Sequence, residues 1–266
     1  MTRAAPARLL IAIAVACLAL ALALRATDTD RALFLAINDA AWRWVPPALV
    51  SSVTILGHGL VATMLLSPTL LRGTNVLMAG LFATPVAMVL SWGPKALIDS
   101  ARPAAVLDPA SFHIIGMRLA GHNSFPSGHT ITAFLVVGVL LAADRTMRLR
   151  WPAAAAIALA GFAVALSRIA VGAHWPSDTL GGAGLGLMAG VAGAQAQRRW
   201  PISSPAARLA LALVVLTCAG TLAQIDAGYP MARPLQLALA AGGGLVAVIA
   251  LWRAWAARTR AARNPG

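Results

Sequence analysis

Charge is what this chain has least of. Only 11% of its 266 residues are Asp, Glu, Lys or Arg, against 59% hydrophobic residues and a mean hydropathy of +0.78. A soluble domain cannot be covered with so little polar surface, so the composition points to a polytopic membrane protein built as one domain in lipid. Acid is rarer than base, with 8 Asp+Glu against 21 Lys+Arg and a formal net charge of +13. The cations are scattered between apolar stretches and form no single basic face, which argues against a nucleic-acid partner. Cysteine is limited to Cys17 and Cys218, each in the middle of a separate apolar stretch. That argues against a structural disulfide and describes small buried apolar residues. Outside the polar clusters described below, carboxylates and histidines do not gather at metal-ligand spacing, and no cofactor is expected. Lysine is reduced to Lys95 alone, while the other 20 of the 21 cations are arginine. A composition that otherwise writes every cation as arginine keeps one compact ammonium, and its neighbours show why.

Crossing a hydrocarbon core of about 30 Å takes about 20 apolar residues in a helix. Stretches that approach this run near 9–24, 48–70, 75–94, 130–143, 152–168, 178–196, 207–224 and 234–252. They predict an all-α polytopic membrane helix bundle with about eight transmembrane helices. Charge sidedness supports the count. With the N-terminus inside, the inner segments hold 13 cations, including Arg3, Arg145, Arg148, Arg150 and the tail arginines, against one acid, Asp144. The outer segments hold 8 cations against 7 acids, so the positive-inside rule gives an N-in, C-in topology. Trp42, Trp44, Trp92 and Trp175 fall at outer ends, and Trp151, Trp200, Trp252 and Trp255 at inner ends, as in an interfacial aromatic belt. The first stretch also reads as a signal peptide, with Arg3 and Arg8 before a short apolar run. The multi-spanning sequence that follows favours a retained helix.

Three polar clusters interrupt this apolar chain, and the topology puts all of them on the outer side. In the first, Lys95 and Arg102 are seven residues apart, close to two helical turns. Both are expected on one face at the outer end of the third span, with Pro103 ending the helix. Such a pair also describes two side chains snorkelling to the headgroups. The second cluster, Ser124 to Thr130, stands directly before the fourth span. A helix start with free amides, a glycine at position 128, the hydroxyl of Ser127 and the imidazole of His129 forms a site for an anion and a proton donor beside it. Ser127 is equally a conventional helix cap. In the third cluster Arg168 offers a planar fork for phosphate oxygens. His174 and Asp178 lie four apart, so a carboxylate can hold the Nδ1 proton and leave Nε2 to attack. Asp178 is also placed to cap the sixth span.

These residues resemble the three-part signature of the type 2 phosphatidic acid phosphatase (PAP2) superfamily, membrane lipid phosphatases related to vanadium haloperoxidases. Lys95 is separated by six residues from Arg102-Pro103, then comes Pro126-Ser127-Gly128-His129, then Ser167-Arg168 with five residues to His174 and three more to Asp178. The signature covers 95–178, and the likeness of the helices extends it to 30–196. The resemblance implies that His174 is the nucleophile, Asp178 orients it, and His129 is the general acid. Lys95, Arg102, Ser127, Gly128 and Arg168 would bind the phosphate, without metal. It implies a hydrolase acting on a lipid phosphomonoester or pyrophosphate through a phosphohistidine, at the extracytoplasmic face of the cell (inner) membrane. Phosphatidate, phosphatidylglycerol phosphate, undecaprenyl pyrophosphate and lipid A type substrates all fit. A phosphotransferase using the same phosphohistidine is the alternative, and a transporter or lipid-binding scaffold is disfavoured by the intact set of residues.

The domain reading follows: a first helix over 1–29, a six-helix phosphatase core over 30–196, and over 197–266 an additional helix pair with a basic cytoplasmic tail. The outer loop of that pair carries Asp226, Tyr229 and Arg233 and has no assigned role. Gly182, Gly186 and Gly190 form a small-residue stripe for close helix approach, read as packing within the chain. His58, inside the second span, is expected to make an interhelical hydrogen bond. His113 and His122 are expected at the mouth or in solvent. The loop over 104–125 is expected to include an amphipathic piece lying in the headgroups.

Overall fold

A computed structural model of the protein describes residues 5–143 and 151–263. Asp144, Arg3, Arg145, Arg148 and Arg150 of the charge map lie outside these residues. The architecture is all-α. In chain order the helices are α1 (Ala5–Arg25), α2 (Thr29–Trp44), α3 (Pro47–Ile55), α4 (Gly59–Leu66), α5 (Asn75–Leu97), α6 (Pro103–Val106), α7 (Gly128–Ala143), α8 (Trp151–Ala170), α9 (Pro176–Arg199), α10 (Pro205–Gln224) and α11 (Arg233–Arg263).

All eight apolar stretches are helical, but they are not alike. Five helical segments, Ala7–Arg25, Asn75–Leu97, Trp151–Ala170, Pro205–Gln224 and Pro230–Ala256, are long and apolar enough to cross a membrane. The second stretch is a broken span: Pro47–Ile55 and Gly59–Leu71 meet at 74°, with Gly57 and Gly59 flanking His58 at the break. That break corrects the reading of 48–70 as one continuous helix. The apolar run Gly128–Ala142 is shorter than a full crossing. Helix α9 is long enough but rich in glycine and alanine, and the reason is its position.

Helix α9 is the centre of the bundle. A methyl group on Gly182 would stand 2.8 Å from the Ser127 carbonyl oxygen, and one on Gly190 would stand 2.6 Å from that of Leu135, both against α7. Gly186 is equally tight against Ile131. On other faces, a methyl group on Gly184 would stand 2.7 Å from the Ala14 carbonyl oxygen of α1, and one on Gly193 would stand 2.6 Å from Ala83 of α5. The stripe therefore packs α7 onto α9 within the chain. A helix surrounded by protein needs small residues for backbone approach more than it needs oily ones for lipid.

The C-terminal pair is built into the same core. Leu211, Val215 and Leu222 of α10 and Ala247 of α11 pack with Val61, Met64 and Leu66 around α4. Gln236 and Arg233 turn back to the carbonyls of Leu222, Ala223 and Ile225, closing the C-terminal end of α10.

One helix had no counterpart in the sequence reading. Helix α2, 16 residues long, lies against the end of α8 and buries Asp30, Phe34 and Asn38. The loop over 104–125 also differs from expectation. Its Phe112 and Ile115 are buried against Phe34, Ile169 and Val171 rather than laid in the headgroups. Trp175 is likewise no belt residue: it packs 5.1 Å from Phe34 and donates its indole N–H to Ala101 O. Together, α2 and this loop roof one end of the bundle.

Candidate active site

The three clusters meet beneath that roof, by routes the spacing alone did not show. Helix α5 ends at Leu97, and Ile98 is already extended. Arg102 is therefore not on the helical face of Lys95 but precedes α6 as its cap residue. What joins them is a short backbone ladder. Ser100 N donates to His122 O, Arg102 N to Gly121 O, and Ser124 N to Ser100 O, at 2.9–3.1 Å. Asn123 then holds both cations: Lys95 Nζ donates to its carbonyl at 2.7 Å, and Arg102 Nε to its Oδ1 at 3.2 Å.

The third cluster is shaped by the end of α8. Gly172 takes φ +77° there, and a side chain would in any case meet His113 O at 2.7 Å. Asn38 shares its amide among the carbonyls of His113, Ile169 and Ala170, and its Oδ1 accepts from His113 N. This staples the turn in place, so that six residues after Arg168 the chain presents His174. Helix α9 then starts with proline at its first position. Asp178, on its first turn, accepts from Trp175 N at 2.9 Å, so it caps the helix as well as facing the histidine. Asp30 of α2 reinforces the same helix start, accepting from Ser177 N at 2.9 Å and from the Ser177 hydroxyl. Burial raises the Asp30 carboxyl while the Ser177 hydrogen bonds oppose that shift.

Around His174 the geometry is specific. The imidazole is only 3% exposed. Its Nδ1 lies 3.4 Å from Asp178 Oδ2 and 3.4 Å from Ser124 Oγ, and Ser124 itself donates to Asp178 Oδ2. On the other side, Arg102 Nη1 is 3.3 Å from Nε2 and also donates to Ala173 O at 3.0 Å. Arginine has no lone pair to offer, so Nε2 must accept, and the proton sits on Nδ1 facing the carboxylate. Burial pushes the His174 imidazolium well below the ordinary histidine range, reinforced by the charges of Arg102, Arg168 and Lys95. That shift favours the neutral ring.

Arg168 is almost wholly buried, at 2% exposed, and its Nη1 donates to Thr54 Oγ1 and Tyr229 Oη. Ser127 is fully buried, caps α7 through its carbonyl to Ile131 N, and accepts from Thr130 Oγ1. Gly128 and His129 occupy the first turn of α7, on the wall of a cavity of about 800 Å³. That cavity runs between α4, α5, α7 and α10 and is mainly apolar, with Leu81, Met88, Leu135 and Leu211 in its lining. His58 opens onto the same space, its ring 6.3 Å from that of His129. Its Nδ1 accepts from Leu60 N, so it caps its own helix and makes no interhelical hydrogen bond. His113 stacks on Trp42 and His122 pairs with Asp99, both away from His174.

All eight residues expected at the site thus share one end of the bundle. Ser124, Asp30, Asn38 and Arg25 were not assigned roles from sequence. Ser124 stood in a quoted motif but only its distance to Asp178 reveals its part. Arg25, at the end of α1, donates to Ser100 Oγ at 2.8 Å and stands 4.0 Å from Asp178 Oδ1, an oxygen with no hydrogen bond of its own. Among the described residues, no three His, Cys, Asp or Glu side chains gather as a metal site.

Comparison with known proteins gives three matches. Residues 69–202 match the PAP2 superfamily. A lipid A 1-phosphatase of Porphyromonas gingivalis is 33% identical over 108 residues, which are 39% of this chain and 24% of that protein. The match thus spans about a quarter of that relative's length. The crystal structure of Aquifex aeolicus LpxE superposes with a TM-score of 0.53 at 27% identity, covering 61% of this chain and 93% of that one.

Proposed function

This chain belongs to the PAP2 superfamily, and from that premise we propose that it is an integral membrane phosphatase that removes the terminal phosphate of a lipid phosphomonoester or pyrophosphate. The observation that carries the reading is the His174 environment: Nδ1 beside Asp178 and Ser124, Nε2 beside Arg102, and a buried Arg168 nearby. In the proposed reaction the Nε2 lone pair attacks phosphorus and the bond to the lipid oxygen breaks. His129 gives its proton to that oxygen. Water, deprotonated by His129, then attacks the phosphohistidine and releases inorganic phosphate. Asp178 stabilises the cationic ring while it carries the phosphoryl group.

Lys95, Arg102, Ser127, the Gly128 amide and Arg168 would hold the phosphate oxygens. Fixed cations and amides supply the charge stabilisation that metal ions give in other phosphatases, which supports a metal-independent mechanism. The apolar cavity beside His129 suits the lipid part of a leaving group. The lipid A 1-phosphatase relative supports a substrate of that type. The charge map supports a site on the extracytoplasmic face of the inner membrane. We propose the same division of the chain, with a first helix over 1–29, the phosphatase core over 30–196 and the C-terminal helix pair over 197–266.

Phosphate release from a panel of lipid phosphates and pyrophosphates, by protein in detergent with EDTA, tests this beside His174→Ala. Turnover that survives chelation and disappears in the variant is expected. Product that forms only with an added acceptor alcohol would replace hydrolysis by phosphotransfer, and loss of turnover on chelation would overturn metal independence.

A further inference from the structure

The C-terminal helix pair lies outside the residues that match the superfamily, yet its outer turn enters the site. Tyr229, the one tyrosine of the chain, is buried between α3, the end of α8 and the loop over 104–125. Its phenolic oxygen accepts from Arg168 Nη1 at 2.6 Å, and the guanidinium carbon stands 5.7 Å from the ring centroid. The same Nη1 donates to Thr54 Oγ1 at 2.9 Å, at the last turn of α3. Thr54 also falls outside 69–202. One guanidinium nitrogen carries two protons, and these two hydroxyls take both. Nε of the same side chain is buried and has no hydrogen-bond partner among the described residues.

The turn that delivers Tyr229 is closely fitted. Gly228 takes φ +79° and its amide is held by Asp226 Oδ1 at 2.7 Å. Gly116, at φ +82°, lies so close that a methyl group on it would be 2.5 Å from Gly228 O and 2.7 Å from the Tyr229 ring. Val50, Ile55, Ile115 and Ala232 pack in the same cluster as the tyrosine. Little room is left for the ring to move.

We propose that Tyr229 is a positioning residue: with Thr54 it clamps one arm of Arg168, so that the rest of the guanidinium is presented to the phosphate, and the added helix pair is part of the catalytic machinery. The proposal rests on the reading of Arg168 as a phosphate ligand. An unclamped arginine would lose hydrogen-bond geometry to the transition state while keeping its charge.

The test is a double-mutant cycle on the full chain in detergent, using whichever lipid of the panel is turned over fastest. Tyr229→Phe keeps the ring and removes only the acceptor oxygen; Arg168→Lys keeps the charge and removes Nη1. Tyr229→Phe is expected to lower kcat/KM about tenfold, the scale of a lost hydrogen bond to a charged group, and to weaken inhibition by inorganic phosphate. In the Arg168→Lys background the same change is expected to cost less than about twofold. Thr54→Val should show the same coupling, which keeps the test available if the tyrosine variant folds poorly. An equal loss in both backgrounds would mean that Tyr229 acts through the fold, and wild-type kinetics in Tyr229→Phe would remove the clamp. Either result overturns the inference but leaves Arg168 as a ligand. Wild-type kinetics in Arg168→Lys would instead overturn the forked phosphate contact itself.

Discussion

Arg102 Nη1 stands 3.3 Å from Nε2 of His174, on the ring face opposite Asp178. The pair fixes the histidine tautomer from both sides, because a guanidinium can only donate and a carboxylate can only accept.

That relationship sets an expected pH dependence. His174 is held well below the usual imidazole range first by burial and then by Arg102, Arg168 and Lys95. A depressed value keeps the ring neutral through mildly acidic pH, and activity is lost only as pH falls through it. Arg102→Gln removes one positive neighbour, so the imidazolium becomes easier to form. Residual kcat/KM measured across pH should show its acid limb moved to higher pH than in the wild type. An unmoved limb would show that Arg102 does not set the protonation of His174.

Ser124 connects His174 to Asp178. Ser124→Ala leaves Asp178 Oδ2 with the Trp175 amide and the long 3.4 Å contact to His174. Losing a hydrogen bond to a charged group costs roughly 1.5–3 kcal/mol. We expect kcat to fall at least about tenfold with a small change in KM. The measurement is steady-state turnover alongside thermal unfolding in detergent, where loss of the same buried bond is expected to lower Tm as well.

Asp30 supports the site from below by capping the helix that carries Asp178. Asp30→Ala leaves the buried Ser177 amide and hydroxyl without their acceptor, at a cost of about 1–2 kcal/mol for a lost cap. Here the expected outcome is a lower Tm in detergent together with reduced turnover. Unchanged Tm would contradict the capping role.

The packing of α9 makes a sharper stability prediction. Gly190→Leu puts a side chain where the Leu135 carbonyl and the Gly138 backbone already stand, and overpacking of a tight contact costs typically 1–3 kcal/mol or more. Gly220 of α10 has nothing within 4 Å of the corresponding position, so Gly220→Ala is its control. Size-exclusion profiles in detergent should show aggregation or loss of the first variant and a normal peak for the second.

Much of this was legible before any coordinates. Apolar length located each of the eight helical stretches, although the His58 break in the second did not register, since Gly57 and Gly59 leave an apolar run looking continuous. Helix α2 was missed because Asp30, Arg31, Asp39 and Arg43 keep its apolar run below a spanning length and its buried face is partly polar, through Asp30 and Asn38. The loop over 104–125 was misplaced for the complementary reason: its apolar side chains bury against α2, whose existence the reading lacked. The eight expected site residues could be singled out in the sequence because their spacing and chemistry sit in local motifs.

By itself, then, the sequence determined the class of fold and displayed the polar motifs that the fold gathers at one end of the bundle. These depend on composition, period and short-range motifs that a linear chain displays. Tertiary structure alone decided how the groups face one another: Ser124 between His174 and Asp178, Arg102 beside Nε2, Asp30 under Ser177, and Tyr229 on Arg168. Tyr229 and Arg168 are 61 residues apart, and Asp30 and Ser177 are 147 apart. Hydrogen bonds across such separations carry no local pattern, because they exist only once burial has brought distant segments together and left each polar atom in need of a partner.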